Sequence, residues 1–398
     1  MVVQNLGFPE DPRVTAFART LAGAGFKVEV LAPGRADQRC EETVDGVWVH
    51  RFAAPPDGAG AFGYGREVAT SLFRIAKARR RLGKESASYI LHFCNPPDIL
   101  WLPFLIPPQA SVVIYDQHDL MPELYSAKGG RPDSILHRAL LTMERFAYKR
   151  ADLVLSTNAS YARVAVSRGG LAPERVHVVR NAPRPDLWFP VTPRVDLRDN
   201  ADVVLCYVGS IGLQDGVEDL IRAVAWLRGQ KSPRRYRCLI AGAGAAKRGM
   251  EELAAGLGVS GDVHFLGWVA GAERLREVVA SADIAVEPCH SNPFNDASTM
   301  VKVMDYLAMG KPIVAYDLPE HRVTAGEAGV FVSPKVGAEG LGDAIQRLAG
   351  DPERRKALGT AALARLPSAG LTYADTQRAL LAAYRHACDI GRAKGLDW

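Results

Sequence analysis

Three polar residues in the last third of the chain have the types and spacing that suit a phosphate-bearing ligand. Ser298, Lys302 and Asp305 recur every three or four residues, so a helix would present all three on one face. A hydroxyl and free backbone N–H groups at a helix N-terminus, with a lysine one turn later, can hold a phosphate. A carboxylate two turns in can accept hydrogen bonds from sugar hydroxyls. The spacing therefore predicts a cradle for a nucleoside diphosphate, but a solvated ion pair of Lys302 with Asp305 explains it equally well.

The helix that must carry these residues is predicted within the segment NDASTMVKVMDYLAMGKP, residues 295–312. Asp296 or Ser298 is expected to be the N-cap, and Gly310 with the nearby proline is expected to end the helix. A second face of the helix is expected to be buried, and its residues are Val301, Met304 and Ala308.

Short apolar runs rich in β-branched residues alternate with helical patterns along the whole chain, which is typical of parallel sheets with helices on both faces. The predicted strands are 2–5, 27–33, 47–52, 89–93, 111–116, 152–157 and 175–179 in the first half, and 203–209, 237–244, 263–269, 283–288, 312–317 and 329–334 in the second. Helices are predicted at 12–24, 134–150, 217–228 and 373–387, among others. The predicted fold class is α/β, with two doubly wound, Rossmann-like parallel-sheet domains.

The chain of 398 residues is too long for one ordinary core, and a proline-rich stretch separates its two halves. We expect an N-terminal domain over 1–185, a linker over 186–200 and a C-terminal domain over 201–372. The last segment, 373–398, is expected to cross back to the first domain. The first strand is short, so residues upstream of the given start are expected. The glycine-rich run at 58–65 predicts a mobile loop.

Composition and charge exclude several classes of protein. Hydrophobic residues at 48% and charged residues at 23% are typical of a soluble globular protein. The net charge of +5 is too small on this length for a nucleic-acid binder that relies on bulk charge. No transmembrane run and no signal peptide are expected. The six cysteines lack C-x-x-C spacing and indicate reduced, buried thiols in a cytosolic protein.

One local exception to the mild charge is a basic run that ends a predicted helix. Its residues are Arg74, Lys77, Arg79, Arg80, Arg81 and Lys84. A solvated helix face is the favoured interpretation. The alternative is a patch that faces an anionic membrane or an acidic acceptor.

Polar residues follow several predicted strands, which is where parallel sheets bind ligands. His118 and Asp119 follow one strand, and Asn95 follows the strand before it. We expect these side chains to face a cleft between the two domains. His118, close to Asp116, is interpreted as a donor to a sugar or phosphate, with a buried structural histidine as the alternative. His92 lies inside its strand and is expected to belong to the core.

Several motifs that mark other chemistries are absent from the sequence. There is no P-loop, no H-E-x-x-H, no G-x-S-x-G and no zinc spacing. Gly242 and Gly244 form only G-x-G after a strand, which allows either close approach to a ligand or a tight turn. No pair of acids is placed for hydrolase chemistry. No metal and no other cofactor is expected, because a lysine and a helix N-terminus can neutralise a diphosphate.

Six motifs together resemble glycosyltransferase family 4. They are EDPRV (10–14), HFCNPPD (92–98), YDQHDLMPELY (115–125), YVGSIGLQDGVEDLI (207–221), FLGWV (265–269) and NDASTMVKVMDYLAMGKPIVAYD (295–317). The resemblance covers essentially the whole chain and is strongest to the bacterial branch that builds O-antigen and other surface polysaccharides. It implies the GT-B fold, with two facing Rossmann-like domains and a cleft. It also implies a retaining hexosyl- or N-acetylhexosaminyl-type transferase that uses a nucleoside-diphosphate sugar, expected to be UDP-linked.

The resemblance assigns roles to individual residues. Asp305 would accept hydrogen bonds from the ribose, and Ser298, Thr299 and Lys302 would hold the diphosphate. The other implied contacts of the donor nucleotide are Gly7, Gly209, Gly244 and Val269. The implied catalytic residues are His118, Lys302 and Asp119. The donor sugar would contact Asn295, Asp296 and His118, and the acceptor would contact Asn95 and Arg13.

One departure from the family pattern concerns the donor sugar. The wider family has a glutamate eight residues before the ribose-binding acid and a second glutamate at that acid. This chain has Ala297 and Asp305 at these two positions. Asn295 or Asp296 is expected to replace the missing contact with the sugar, so the departure affects donor identity.

A second departure concerns the diphosphate. The wider family places arginine and lysine after the first strand of the second domain, where this chain has Ser210 and Asp215. Lys302 is therefore expected to carry more of the diphosphate charge, aided by Arg13. The expected reaction is a front-face substitution, in which Lys302 and the helix stabilise the leaving diphosphate while the acceptor hydroxyl attacks from the same side.

Two alternatives to a transferase stay open at this stage. A sugar-nucleotide epimerase can share this fold and this nucleotide site, and Ala297 is compatible with a non-catalytic sugar-nucleotide-binding subunit. For the transferase, the expected partners are a nucleotide-sugar donor and a carbohydrate, lipid-linked or small-molecule acceptor, and no nucleic acid. The expected location is the cytoplasm, either free or in peripheral contact with the inner face of the membrane.

Overall fold

The computed structural model describes residues 1–55, 60–82, 88–105, 110–230 and 234–396. The chain folds into two compact units. The first comprises Met1–Ser126, Gly130–Asn181 and Thr376–Trp398, and the second comprises Ala127–Gly129 and Ala182–Asp375. The stretch expected to be a linker, 186–200, lies in the second unit, because Trp188 and Leu197 pack against its core and Arg198 pairs with Asp283.

The first unit is built on a mostly parallel sheet. Its strands are β1 Glu29–Gly34, β2 Glu41–Val44, β3 Val47–Ala53, β4 Ser88–Cys94, β5 Ala110–Gln117, β6 Leu153–Ser156 and β7 Val176–Val178. The predicted first strand is reduced to Met1–Val3, whose Val2 pairs in parallel with Leu31 of β1 and Phe93 of β4. Val2 therefore joins the β2-β3-β1 group to the β4-β5-β6-β7 group. Helices cover both faces, which explains why the central strands are continuous apolar runs.

One strand of the first unit was not predicted. β2 pairs in antiparallel register with β3 across Asp45 and Gly46, whose φ angles are 50° and 79°. An Asp-Gly pair favours this two-residue hairpin because both residues tolerate left-handed backbone. The strand itself reads EETV and is largely exposed at the sheet edge, so no apolar run marks it in the sequence.

The helices of the first unit are α1 Pro12–Gly23, α2 Gly60–Ala78, α3 Met121–Ala127, α4 Ile135–Arg150, α5 Ala159–Ser167 and the final α15 Tyr373–Ala393. Asp11, Ser134 and Asn158 cap α1, α4 and α5 by accepting backbone N–H groups. The prediction of a loop at 58–65 was wrong from Gly60 onward, where α2 begins, and residues 58–59 lie outside the described part of the chain. Burial of Val68 and Ile75 on the same helix outweighs the poor helix propensity of glycine.

The second unit is a fully parallel six-stranded sheet between helices. Its strands are β8 Val203–Val208, β9 Tyr236–Ala241, β10 Val263–Gly267, β11 Ile284–Glu287, β12 Ile313–Tyr316 and β13 Gly329–Val332, in the order β10-β9-β8-β11-β12-β13. Its helices are α6 Val195–Arg198, α7 Val217–Gly229, α8 Lys247–Gly256, α9 Ala272–Ser281, α10 Pro293–Ala297, α11 Val301–Ala308, α12 Pro319–Ala325, α13 Gly337–Ala349 and α14 Pro352–Ser368. The prediction of two Rossmann-like doubly wound sheets is confirmed.

The segment predicted as one helix over 295–312 forms two short helices, α10 and α11. Asn292 caps α10, whereas Ser298 ends it, because the Ser298 hydroxyl donates to the Phe294 carbonyl at 2.7 Å. The predicted N-cap was therefore wrong, and α11 begins after Met300 without a side-chain cap. The predicted end was correct, since Gly310 follows α11 with a φ of +64°.

The predicted buried face of this helix was only partly correct. Met304 is buried and Ala308 is half-buried, but Val301 is 44% exposed. The buried residues of α11 are Val303, Met304, Tyr306 and Leu307. The buried face differs because α11 starts only at Val301, the first and most exposed residue of its first turn.

The expectation of buried thiols is confirmed for four of the six cysteines and wrong for Cys40, which is exposed. All six are free: Cys94, Cys206, Cys238 and Cys289 are buried, Cys388 is half-buried and Cys40 is exposed.

Candidate functional site

In the second unit, charged side chains meet at the carboxyl ends of β8 and β11. Lys302, in the first turn of α11, points its Nζ to within 3.0 Å of the Tyr207 hydroxyl and 3.1 Å of a Glu287 carboxylate oxygen. The Lys302 side chain is 11% exposed and Glu287 is fully buried. Asp215, near the end of the turn that precedes α7, contributes a further negative charge. We call Lys302, Glu287, Tyr207 and Asp215 the Lys302 cluster.

Lys302 is held in its charged form in this cluster. Burial opposes the charge, but Glu287, followed by Tyr207 and Asp215, outweighs it and holds the pKa of Lys302 well above its usual range. The ammonium also lies 4.3 Å from the centre of the Tyr207 ring. The sequence predicted either a phosphate-binding lysine or an ion pair of Lys302 with Asp305. In the structure Lys302 pairs with Glu287 instead, which neither interpretation predicted.

Glycines allow the backbone segments that follow β8 and β9 to lie close together beside Lys302. A Cβ on Gly209 would lie 2.8 Å from the Lys302 Cε, and a Cβ on Gly242 would lie 1.8 Å from the Gly209 carbonyl oxygen. A Cβ on Gly244 would lie 2.3 Å from the Ile211 carbonyl oxygen. Gly242 and Gly244 are therefore explained by the close approach of neighbouring loops, where a side chain would not fit. Gly209, in one of these loops, contacts the Lys302 side chain.

Asp305 lies one turn after Lys302 on α11 and is half-buried. Among the residues that the structure describes, its carboxyl has no hydrogen-bond or ion-pair partner. Burial raises the pKa of this carboxyl to about 8. At neutral pH it therefore carries a proton, and it can both donate to and accept from a hydroxyl.

Other predicted donor contacts lie at the same end of the sheet but differ in availability. Ser298 is buried and donates to Phe294, and the Thr299 hydroxyl donates to Glu320 at 3.0 Å. Val269 follows β10, is half-buried and packs on the core of the unit. The hydroxyls predicted to bind phosphate are thus engaged within the protein. In the first turn of α11, the Val303 N–H donates to the Met300 carbonyl at 2.9 Å.

The residues expected to replace the missing glutamate have different surroundings. Asn295 is buried and its amide donates to the carbonyls of Gln214 and His290, both at 2.8 Å. Its side chain therefore holds two loops together in this arrangement. Asp296 is half-buried and accepts from Ser291 at 3.0 Å. Ala297 is the last residue of α10 and is half-buried.

In the first unit, a second cluster surrounds Asp116 near the carboxyl end of β5. Arg13 donates from its Nε at 3.0 Å and from its Nη2 at 2.7 Å. His92 lies 3.2 Å and His118 2.9 Å from the same carboxylate. Burial opposes its ionisation, but Arg13, followed by His118, outweighs it and holds the pKa of Asp116 well below its usual range. We call these four residues the Asp116 cluster.

His118 is the member of the Asp116 cluster that is accessible, with 18% of its side chain exposed. Its Nε2 faces Asp116, and its backbone N–H donates to the Asn95 side chain at 2.5 Å. Asn95 also holds Asp119, accepting from its N–H at 3.1 Å and donating to its carbonyl at 2.7 Å. The structure therefore places His118 and Asp119 together in one loop that Asn95 orients.

Two residues predicted to contact the acceptor are used inside the first unit. Asn95 is 2% exposed and Arg13 is 6% exposed. The guanidinium of Arg13 is shared among Asp116, the Val179 carbonyl and the Asn181 side chain.

Gly7 lies in the loop before α1, where a Cβ would meet the Pro33 carbonyl oxygen at 3.0 Å. His92 is fully buried, and its Nδ1 is hydrogen-bonded to the Tyr384 hydroxyl at 2.8 Å. These contacts confirm that His92 belongs to the core.

Two members of the Lys302 cluster were not predicted from the sequence as site residues. Glu287 was predicted only as part of a strand, and Tyr207 only as part of a strand and a motif. Glu287 is an acid in a strand that is otherwise apolar, IAVE, and a carboxylate in a buried strand needs a charged partner. That signal was present in the sequence, but the identity of the partner required the fold.

Part of the basic run is used within the first unit. Arg74 donates to the carbonyls of Ala53 and Ala54 at 2.8 and 2.6 Å. Arg79 donates to the Pro103 carbonyl at 2.6 Å. Lys84 lies outside the described residues. None of the described helices has the length and apolar character needed to cross a bilayer.

Two protein-family descriptions match separate halves of the chain. The first, glycosyl transferase 4-like domain, matches residues 11–182, and the second, glycosyl transferases group 1, matches residues 202–351. The two matches fall within the first and second units respectively.

Individual proteins with similar sequences and structures agree with these matches. Alpha-D-kanosaminyltransferase of Streptomyces kanamyceticus is 26% identical over 83% of this chain and 86% of its own length. D-inositol 3-phosphate glycosyltransferase of Geodermatophilus obscurus is 28% identical over 94% of this chain and 84% of its own length. The structure of Alr3699/HepE from Anabaena, in complex with UDP and glucose, is 16% identical, covers 96% of this chain and 98% of its own, and has a TM-score of 0.70. This chain belongs to the family-4-type glycosyltransferases with the GT-B fold, and it is a glycosyltransferase.

Proposed function

We propose that this enzyme transfers a sugar, with retention of anomeric configuration, from a UDP-linked donor to an acceptor hydroxyl in polysaccharide, glycolipid or natural-product biosynthesis. The observation that carries the proposal is the position of Lys302. Its ammonium lies beside Gly209 at the carboxyl end of β8, in the first turn of a helix. A fixed positive charge in the first turn of a helix, next to a strand end, suits a diphosphate.

Lys302 takes over a role that other residues of the turn after β8 do not fill. The turn from Gly209 to Gly216 contains no arginine or lysine. The ammonium comes instead from α11 and approaches the same turn, with a Gly209 Cβ position 3.2 Å from its Nζ. Stabilising the charge that develops on the leaving diphosphate is an electrostatic task, and a preorganised ammonium suits it.

Asp305 supports the nucleoside part of the donor. It follows Lys302 by one turn of α11, so a ligand that reaches the ammonium with its phosphates can reach this carboxyl with its ribose. The carboxyl has no partner among the described residues, and its pKa of about 8 keeps it protonated at neutral pH. A protonated carboxyl can donate to one ribose hydroxyl and accept from the other.

The identity of the base and the stereochemistry rest on likeness rather than on geometry. The Anabaena structure contains UDP and glucose, which supports a UDP-linked donor here. The retaining front-face reaction follows from the resemblance to family 4. The relative named for inositol 3-phosphate supports a small polar acceptor as one candidate.

The first unit is proposed to contribute His118 and Asp119 to the reaction. His118 is partly exposed, while Asn95 and Asp116 fix its backbone and its ring. Because the carboxylate of Asp116 can only accept, Nε2 of His118 carries a proton and the remaining ring nitrogen is free for a sugar hydroxyl.

A donor panel tests the proposal. Purified enzyme is incubated with UDP- and other nucleoside-diphosphate sugars, with and without acceptor extracts, and nucleoside diphosphate release is measured. Lys302→Ala should lower kcat/KM for the preferred donor by about 100-fold or more, as expected for loss of one charge-stabilising group.

A matched control substitutes a lysine that lies elsewhere on the same unit. Lys247 of α8 pairs with Glu251 on the helix surface, so Lys247→Ala should leave kcat/KM within about twofold of wild type. Near-normal activity of Lys302→Ala would contradict the proposed role of the lysine. Turnover of a donor without any acceptor would indicate isomerisation of the donor rather than transfer.

A further inference from the structure

A buried group of three potential metal ligands lies next to Lys302 in the second unit. Glu287 is the last residue of β11, and Cys289 follows it by two residues in the loop after the strand. His321 belongs to the first turns of α12. One carboxylate oxygen, the thiol sulfur and one ring nitrogen all lie within 4.8 Å of one another, and the three residues are buried.

The distance between the thiol and the imidazole is that of two ligands of one ion. The Cys289 Sγ lies 3.5 Å from the His321 Nε2. A tetrahedral zinc ion with bonds of about 2.3 Å to sulfur and about 2.0–2.1 Å to nitrogen would hold these two atoms roughly 3.5 Å apart. A hydrogen bond from the thiol to the ring gives the same distance, so the other ligands must decide between the two.

The orientation of His321 favours a metal ligand. Its Nδ1 lies 2.8 Å from the Tyr316 carbonyl oxygen, which can only accept, so Nδ1 carries the proton. The lone pair is then on Nε2 and points to Cys289. A backbone carbonyl that accepts from the second ring nitrogen is the usual partner of a metal-binding histidine.

Glu287 contributes negative charge and has acceptor capacity that the backbone does not use. Among the described residues no well-aligned N–H hydrogen bond reaches its two buried oxygens. Its close contacts are the Lys302 ammonium, 3.1 Å from Oε2, and the Cys289 thiol. One ammonium faces two carboxylates, Glu287 and Asp215, so this buried group has a net charge of about −1 when all three are ionised. A divalent ion together with the Cys289 thiolate adds one positive charge and leaves the group neutral.

The chemically similar group in the first unit lacks this capacity. His92, Cys94 and Asp116 are also buried and close together. There, however, Asp116 already accepts from Arg13, His92 and His118, so the guanidinium occupies the place of a cation. The two groups therefore provide a comparison within one chain.

We infer that Glu287, Cys289 and His321 form a zinc-binding site with three protein ligands inside the second unit. Carboxylate, thiolate and imidazole are ligands that zinc accepts together, and three protein ligands leave a fourth position for water. The ligands come from β11 and α12, and their spacing in the sequence matches none of the common zinc motifs.

Cobalt is the probe for this site, because tetrahedral Co²⁺ replaces Zn²⁺ and is coloured. The full-length enzyme, stripped of metal with a chelator and desalted into a non-chelating reducing buffer, is titrated with CoCl₂ and then with ZnCl₂. We expect one Co²⁺ per chain, visible bands of a tetrahedral ion, a thiolate-to-cobalt charge-transfer band, and loss of all bands on addition of one equivalent of Zn²⁺. Absence of a thiolate band in the wild-type enzyme overturns the proposal, and this result does not depend on any variant folding.

Variants then assign the ligands. Cys289→Ser should abolish the charge-transfer band, and His321→Gln should weaken Co²⁺ binding at least tenfold. Cys206→Ser, at another buried cysteine of the same unit, should retain the wild-type titration. Loss of the band in Cys94→Ser but not in Cys289→Ser would place the metal in the first unit and overturn the assignment.

Discussion

The Asp116 cluster and the Lys302 cluster handle buried charge in opposite ways. In the first unit, one carboxylate is surrounded by donors from Arg13, His92 and His118, and each close contact is a hydrogen bond. In the second unit, one ammonium faces two carboxylates, Glu287 and Asp215, and among the described residues no well-aligned N–H hydrogen bond reaches the Glu287 oxygens. The first cluster is saturated, whereas the second has unused capacity.

This difference indicates which cluster is structural and which is prepared to bind. A saturated buried ion pair joins elements of one unit, and removing one member leaves the other charge uncompensated. In an unsaturated cluster at the end of a parallel sheet, buried charge stays uncompensated. The binding of a further ion or ligand lowers this electrostatic cost. Under the proposed function, His118 would act from a rigid support, while Lys302 would exchange partners when a diphosphate binds.

The largest expected effect comes from Asp116→Asn. The substitution leaves the Arg13 guanidinium buried without its counterion, so the free energy of unfolding should fall by about 3–5 kcal/mol. Urea denaturation measures the loss, and hydrogen exchange of the β4 and β5 amides assigns it to the first unit. Asp317→Asn, in an exposed pair with Arg322, is the control and should cost less than about 1 kcal/mol. Equal costs for the two variants would show that the Asp116 cluster is not a stabilising centre.

A smaller effect is expected from the same chemical change in the second unit. Glu287→Gln removes the main counterion of the buried Lys302 ammonium, but Tyr207 and Asp215 still face it. In metal-free buffer, the free energy of unfolding should therefore fall by roughly 1–3 kcal/mol, less than in Asp116→Asn. A loss as large as that of Asp116→Asn would remove the distinction between the two clusters.

The smallest effect concerns an exposed pair beside the Lys302 cluster. The hydrogen bond to Asp219 raises the pKa of His290, whose side chain is 44% exposed. For a histidine whose pKa is raised by folding, the stabilisation is full below the unfolded pKa of about 6.5 and is lost as the pH rises through the folded value. His290→Gln should therefore cost up to about 1 kcal/mol at pH 5.5 and nothing at pH 8.5, with the cost reduced by salt.

A second histidine of the same unit provides the control for this pH effect. Burial lowers the pKa of His264, so its charged form is disfavoured by folding. His264→Gln should then have no cost at low pH, in contrast to His290→Gln. Thermal melts at the two pH values compare both variants, and a pH-independent loss for His290→Gln would mean that its role is packing.

The sequence was sufficient for the sheets because their signal is local. Parallel strands that are covered on both faces must be apolar, and the predicted runs overlap the observed strands from β1 to β13 apart from β2. β2 was missed because it is a polar edge strand, and its signal was the Asp45-Gly46 turn rather than an apolar run. The start of α11 was predicted wrongly, because the side chains of Ser298 and Thr299 bond to Phe294 and Glu320 in the folded unit. The sequence does not specify these partners.

By itself, the sequence determined the family, the two Rossmann-like units and the position of Lys302 and Asp305 on one helix at a sheet end. These follow from periodicity and from motifs whose residues are close along the chain. Only the tertiary structure decided that Lys302 pairs with Glu287, that Arg13 is consumed by Asp116 and that Cys289 meets His321. Such partners lie on different strands and helices, and no local pattern specifies which buried charge will meet which, because the packing of the whole unit sets those distances.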